Sequence, residues 1–121
     1  MKELNLPHHH GDEKNLLSLF EQLSDISTFQ TVADIFKQLG DSSRIRIFWL
    51  LCHCEECVLN ISALVGMSSP AVSHHLKQLK TNGLIVSTRK GKEVYYKVAD
   101  NKKSHFLHLA IEKIMEISCP K

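Results

Sequence analysis

The chain has 121 residues, enough for one domain with one hydrophobic core and too few for most two-domain enzymes. Its 43 % hydrophobic and 23 % charged residues exclude a disordered or fibrous chain, and no apolar run reaches the ~18 residues of a membrane helix. The net charge of +2 hides a split, −4 over residues 1–60 and +6 over residues 61–121, which is the pattern of a localised polyanion-binding surface.

Residues 1–12 show no apolar periodicity and read as a mobile arm carrying His8, His9, His10 and Asp12. The first residues lack the apolar stretch of a secretory signal, so a cytoplasmic, reducing location is expected. Residues 13–121 then read as one domain. Leu16, Leu19, Phe20 and Leu23 recur at helical spacing after an acidic first turn. Thr28 is the expected cap of a second helix, whose stripe is Phe29, Val32, Ala33, Phe36 and Leu39, and Gly40 ends it. Asp41 to Arg44 lead into a third helix, apolar nearly all round from Ile45 to Leu51 and therefore central. It is expected to stop near Cys52 to Cys54, where Glu55 and Glu56 break the pattern.

Residues 58–80 read as helix, turn, helix. Asn60 or the acids before it open a short helix through Ile61, Leu64 and Val65, and Gly66 supplies the turn. Ser68 or Ser69 caps the next helix and Pro70 occupies its first position. Ala71, Val72, Leu76 and Leu79 are expected to face inward, with Ser73, His74, His75, Lys77, Gln78 and Lys80 outward. Residues 84–88 and 94–98 are rich in β-branched and aromatic residues, and the basic segment Arg89 to Glu93 suits a hairpin tip. Asp100 or Asn101 opens a last helix with Leu107, Ala110, Ile111, Ile114 and Met115 on one face, ended by Cys119 and Pro120.

A helix-turn-helix followed by a basic hairpin is a winged helix-turn-helix. The major groove of DNA admits one helix, and short polar side chains near its start reach bases and phosphates. Ser68, Ser69, Pro70, Ser73, His74, His75 and Lys77 lie on that helix, and Arg89, Lys90 and Lys92 on the wing. These are the expected contacts to double-stranded DNA. No phosphate loop, nucleophile motif or hydrolase metal pattern is present, so an enzyme is not expected.

Cys52, Cys54 and Cys57 cluster as C-x-C-x-x-C, a spacing for metal binding or thiol chemistry. Thiolates favour Zn(II), Cd(II), Pb(II) or As(III), and His8, His9, His10 or Asp12 from the arm would complete a tetrahedron. His105, His108 and Glu112 also share one face of the last helix. A thiol-redox or persulfide sensor using Cys52, Cys54, Cys57 or Cys119 without metal is the alternative.

The stretches Asp41 to Ile47, Cys57 to Ile61, Met67 to Lys80 and Arg89 to Tyr96 resemble the ArsR/SmtB family of metal-sensing repressors, most specifically in Ser69-Pro-Ala-Val-Ser-His-His-Leu76. The resemblance covers about residues 30–118. It implies a mainly α winged helix-turn-helix homodimer, joined by its first and last helices, that binds palindromic operator DNA and releases it on binding metal. Cys57 matches the first thiol of one family site, but Leu59 replaces the second. In a second family site, across the last helices of the dimer, Asp100 and Glu116 match, while Lys102 and Lys113 stand where histidines are expected. A variant of that site would draw on His105, His108 and Glu112.

Overall fold

The structure, a computed structural model, describes residues 4–118. They divide into a unit ending at Lys37 and a unit beginning at Gln38. The expected helix end at Cys119 and Pro120 lies outside the described residues.

In the first unit, α1 (Glu13–Leu23) follows the arm. Its apolar residues recur along one side, yet none is buried. Ser24 Oγ donates to the Phe20 carbonyl and closes the helix. Most of α2 (Ile26–Gln38) also belongs here. Its cap is Asp25 rather than Thr28. The Asp25 carboxylate accepts from the Thr28 backbone N–H at 3.3 Å and from the hydroxyls of Ser27 and Thr28 at 2.8 and 2.7 Å. Those three donors hold the carboxyl below the usual carboxylate range, the Thr28 hydroxyl contributing most. A carboxylate accepts several donors at once, so it outcompetes a hydroxyl three residues later for the cap.

In the second unit, Gln38 at the end of α2 is buried and accepts from Arg44 Nη1 at 3.3 Å. Asp41 caps α3 (Ser42–His53), accepting from the Arg44 N–H at 2.9 Å. Ile47, Phe48 and Leu51 of α3 are essentially inaccessible, so this helix is central as expected. It ends at His53, and Cys54 caps it in extended conformation. The chain next forms β1 (Glu56–Cys57), a strand the sequence did not announce, and α4 (Val58–Val65) starts immediately after it rather than at Asn60. Gly66 adopts the left-handed conformation (φ 69°) that turns the chain into α5 (Ser69–Thr81).

The hairpin of β2 (Ile85–Lys90) and β3 (Glu93–Val98) is longer than expected and its tip is shorter. Arg89 pairs with Val94 and Lys90 with Glu93, which leaves Gly91 and Lys92 as a two-residue turn. Gly91 takes a positive φ of 65°. A glycine at the first turn position supplies the backbone twist that a tight hairpin needs. The antiparallel sheet has the order β1-β3-β2, with Glu56 opposite Tyr96 and Cys57 opposite Tyr95. Asn101 caps α6 (Lys102–Ser118), accepting from the Ser104 N–H at 2.8 Å. Its amide also donates to the Gly83 carbonyl at 2.8 Å, and the buried Ser104 hydroxyl donates to the Leu84 carbonyl at 3.0 Å. These bonds fasten the start of α6 to the junction of α5 and β2. Leu107 and Ile111 of α6 join Val72, Leu76, Leu79 and Leu84 in the core.

Candidate nucleic-acid interface and metal centres

The turn between α4 and α5 is cross-tied by Ser62 Oγ and Ser69 Oγ, 3.2 Å apart. Ser68 is the cap of α5, accepting from the Ala71 N–H at 3.3 Å, and Pro70 lies in the first turn. A proline there gives up an N–H that would have no helical partner. Pro70, Ser73, His74 and Lys77 are exposed along one side of α5, and Ser69 is half-buried beside them. Lys80 Nζ donates to Ser87 Oγ at 2.7 Å, so the helix and the wing are tied together.

One expected contact residue lies elsewhere. His75 faces inward, only 9 % exposed, and its Nδ1 has no hydrogen-bond partner. The reason is helical spacing: Val72, His75, Leu76 and Leu79 fall at i, i+3, i+4 and i+7, which is one face. The imidazole sits on the core stripe despite its polarity.

The wing's three basic residues are not equivalent. Lys90 forms an ion pair with Glu55 and lies 5.2 Å from the centre of the Tyr95 ring. The shared hydrogen bond pulls Glu55 down and pushes Lys90 up from their ordinary pKa values. Arg89 Nε donates to the Gly91 carbonyl at 3.3 Å, and Lys92 stands at the exposed tip.

The three clustered cysteines occupy different environments. Cys52 is half-buried on α3, and burial, aided by the Glu112 charge, pushes its thiol up to about 12. Cys54 is also raised, chiefly by burial and then by Glu56, and its Sγ donates to the Leu50 carbonyl at 3.4 Å. Cys57 is buried at the head of α4. Among the described residues, no cysteine belongs to a group of three donors lying within 4.8 Å of one another. In the other unit, the His8 and His10 rings stack with centroids 5.9 Å apart, and His9 Nδ1 is 3.1 Å from Glu13 Oε1. Asp12, at φ 60°, accepts from the Asn15 amide at 3.3 Å.

The expected grouping of His105, His108, Glu112 and Glu116 with Asp100 is divided. His105 Nε2 lies 3.0 Å from Asp100 Oδ1, and Glu116 pairs with Lys113 at 3.5 Å. His108 Nε2 and Glu112 Oε1 are 3.0 Å apart, one helical turn from each other. Their third neighbour is His53, unforeseen from the sequence, whose Nε2 is 3.2 Å from the same Glu112 oxygen. Trp49 Nε1 donates to that oxygen as well, at 3.3 Å. These donors hold Glu112 below the usual carboxylate range, His108 contributing most. The signal available was that Trp49 and His53, four residues apart, put two nitrogen-bearing rings on one side of α3.

Residues 41–87 match the family of bacterial regulatory proteins described as the arsR family. The cadmium resistance transcriptional regulatory protein CadC of Listeria innocua is 35 % identical over 91 residues, which cover 73 % of this chain and 76 % of that protein. A transcriptional repressor SmtB homolog of a Synechocystis species is 36 % identical over 80 residues, or 66 % of this chain; the chain spans only 61 % of that protein's length. Among solved structures, a homodimeric winged helix-turn-helix DNA-binding domain of Mycobacterium bovis, a possible ArsR-family regulator, superposes with a TM-score of 0.68. It is 28 % identical, and the match covers 77 % of this chain and 86 % of that one.

Proposed function

Because this chain belongs to the arsR family of bacterial regulatory proteins, we propose that it is a dimeric repressor that holds palindromic operator DNA and releases it on binding a thiophilic metal ion. The observation that carries the reading is the exposed ridge Pro70, Ser73, His74 and Lys77 on a capped helix, tied to a basic wing through Lys80 and Ser87. The head of α5 carries the positive end of the helix dipole and meets phosphate, while His74 and Lys77 reach into the major groove. Arg89 and Lys92 reach the flanking backbone. The exposed apolar residues Leu19 and Leu23 of α1 and Ile114 and Met115 of α6 supply the faces for a two-fold dimer. Such a dimer presents two reading helices about 34 Å apart, one turn of DNA.

Cys52, Cys54 and Cys57, with His8, His9, His10 or Asp12 of the arm, are the proposed inducer ligands. Their mixed sulfur, nitrogen and oxygen donors favour Zn(II) or Cd(II) over Pb(II) and As(III). The raised thiols of Cys52 and Cys54 weigh against sensing by thiol oxidation, because oxidants attack thiolate. A metal displaces those thiol protons on binding and gains its own bond energy in return. Cys57 leads directly into α4, so a metal that repositions it re-aims the reading head. A coupling of about 1–3 kcal/mol, typical of allosteric linkage, gives roughly 5- to 150-fold weaker DNA binding. The test is Cys54→Ser with Cys57→Ser. The double variant should bind DNA without metal and lose metal-induced release; release at the wild-type metal affinity would overturn the thiolate assignment.

A further inference from the structure

We propose that His53 Nε2, His108 Nε2 and Glu112 Oε1 form a binding site, within a single chain, for a zinc-like divalent transition-metal ion. The three donor atoms all lie within 4.8 Å of one another. The two nitrogens are 3.2 and 3.0 Å from the shared oxygen. In a tetrahedral site with bonds of about 2.0 Å, neighbouring ligand atoms sit roughly 3.3 Å apart. Both nitrogen-to-oxygen distances therefore lie within a few tenths of an ångström of the coordinated value.

The carriers are helical. His108 and Glu112 are four residues apart on α6, and His53 is the last residue of α3. Trp49 Nε1 donates to the same carboxylate oxygen, the kind of outer partner that orients a metal ligand. The rings of His53 and His108 meet edge to face with centroids 5.0 Å apart. The three side chains are 32 to 45 % exposed, so an ion has access and a fourth position remains for water. Two imidazoles and one carboxylate select Zn(II), Co(II) or Ni(II). They disfavour Ca(II) and Mg(II), which prefer all-oxygen shells, and As(III) and Pb(II), which prefer thiolates. The site needs neither the cysteines nor DNA, so its donors are distinct from the inducer ligands proposed above, although Glu112 also acts through its charge on Cys52. An ion there would clamp the end of α3, where the chain enters β1, to α6.

The test uses the reduced full-length protein without DNA, titrated with Zn(II) or Co(II) alone. The histidine side-chain nitrogens are followed by NMR, and Co(II) absorption is followed in parallel. In the unaltered protein, Zn(II) should shift the Nε2 signals of His53 and His108 together at one equivalent per chain. In full-length Cys54→Ser, Cys57→Ser protein, which lacks the thiolate pair proposed above, the matching Co(II) should give tetrahedral bands without sulfur charge transfer. His53→Ala and Glu112→Gln should each weaken that equivalent at least tenfold while the far-ultraviolet circular dichroism stays unchanged. Unaltered affinity and stoichiometry in both variants would overturn the proposal. A shift of His108 without His53 would overturn it equally, since it would place the ion across the last helices of two chains. The NMR readout in the unaltered protein decides the matter even if a variant fails to fold.

Discussion

Replacing His75 by Leu separates the two roles a histidine on a reading helix can have. Its imidazole is 9 % exposed and its Nδ1 has no partner. A buried polar group left without a hydrogen bond costs about 1–3 kcal/mol, and an apolar side chain of similar size removes that cost. Val72, Leu76 and Leu79, on the same helical face, are already buried and apolar. The exchange also gives up some packing, so a net gain of about 1 kcal/mol is expected for His75→Leu, or a Tm roughly 4 °C higher for a chain of this length. The assay is urea and thermal unfolding at one fixed protomer concentration, because dimerisation makes the midpoint concentration-dependent. Duplex binding by the same variant should change less than threefold. The reasoning fails if His75→Leu is destabilised by more than about 1 kcal/mol. It fails equally if the variant keeps its stability and loses more than about tenfold in affinity for DNA, roughly one bidentate base contact.

The wing should divide by residue. Lys92→Ala is expected to lower the slope of log K against log salt by about 1.8, roughly 0.9 for the one phosphate neutralised by each protomer of the dimer, and Lys90→Ala by less, because Glu55 already neutralises Lys90. Equal decreases from the two, in fluorescence anisotropy at several salt concentrations, would contradict the pairing. Asp41→Ala should cost about 1 kcal/mol of stability at pH 7 by removing the α3 cap. The Arg44 N–H holds the Asp41 carboxyl below its usual range, so its contribution is complete above the unfolded value of about 3.9 and fades as pH falls through the lower folded one. The gap between wild type and variant in urea melts should therefore narrow below about pH 4. In metal-free protein at pH 8, Cys52 should react with iodoacetamide at least tenfold slower than a free thiol, as mass spectrometry of the modified chain would report.

Most helices were legible because their apolar residues recur at helical spacing and carry capping residues. Asp41, Ser68, Gly66 and Asn101 all act at the positions their chemistry suggests. The failures have local physical causes. Asp25 took the cap from Thr28 because a carboxylate gathers three donors. Arg89 and Lys90 entered the strands because Gly91 can turn the chain in two residues, so basic residues were drawn into pairing. The strand β1 has two residues, too few for any alternation to show. His75 follows its helical spacing rather than its polarity, so a histidine expected on the surface lies on the core face. The union of His53 with His108 and Glu112 spans 59 positions between His53 and Glu112, and only the packing of α3 with α6 creates it. The thiol cluster is the reverse case: C-x-C-x-x-C is plain in the sequence, but the end of α3 and the strand at Cys57 separate the environments of its three members.

The most direct measurement is fluorescence anisotropy of the apoprotein on a palindromic duplex, selected by the protein from a random pool, with Zn(II) or Cd(II) then added. A metal-responsive repressor binds with a steep negative dependence on salt and dissociates as the metal saturates, with affinity falling between 5- and 150-fold for a coupling of about 1–3 kcal/mol. Tight binding that metal leaves unchanged would contradict metal sensing. Binding that shows neither sequence selection nor salt dependence would contradict the reading of α5 and the wing as a DNA interface.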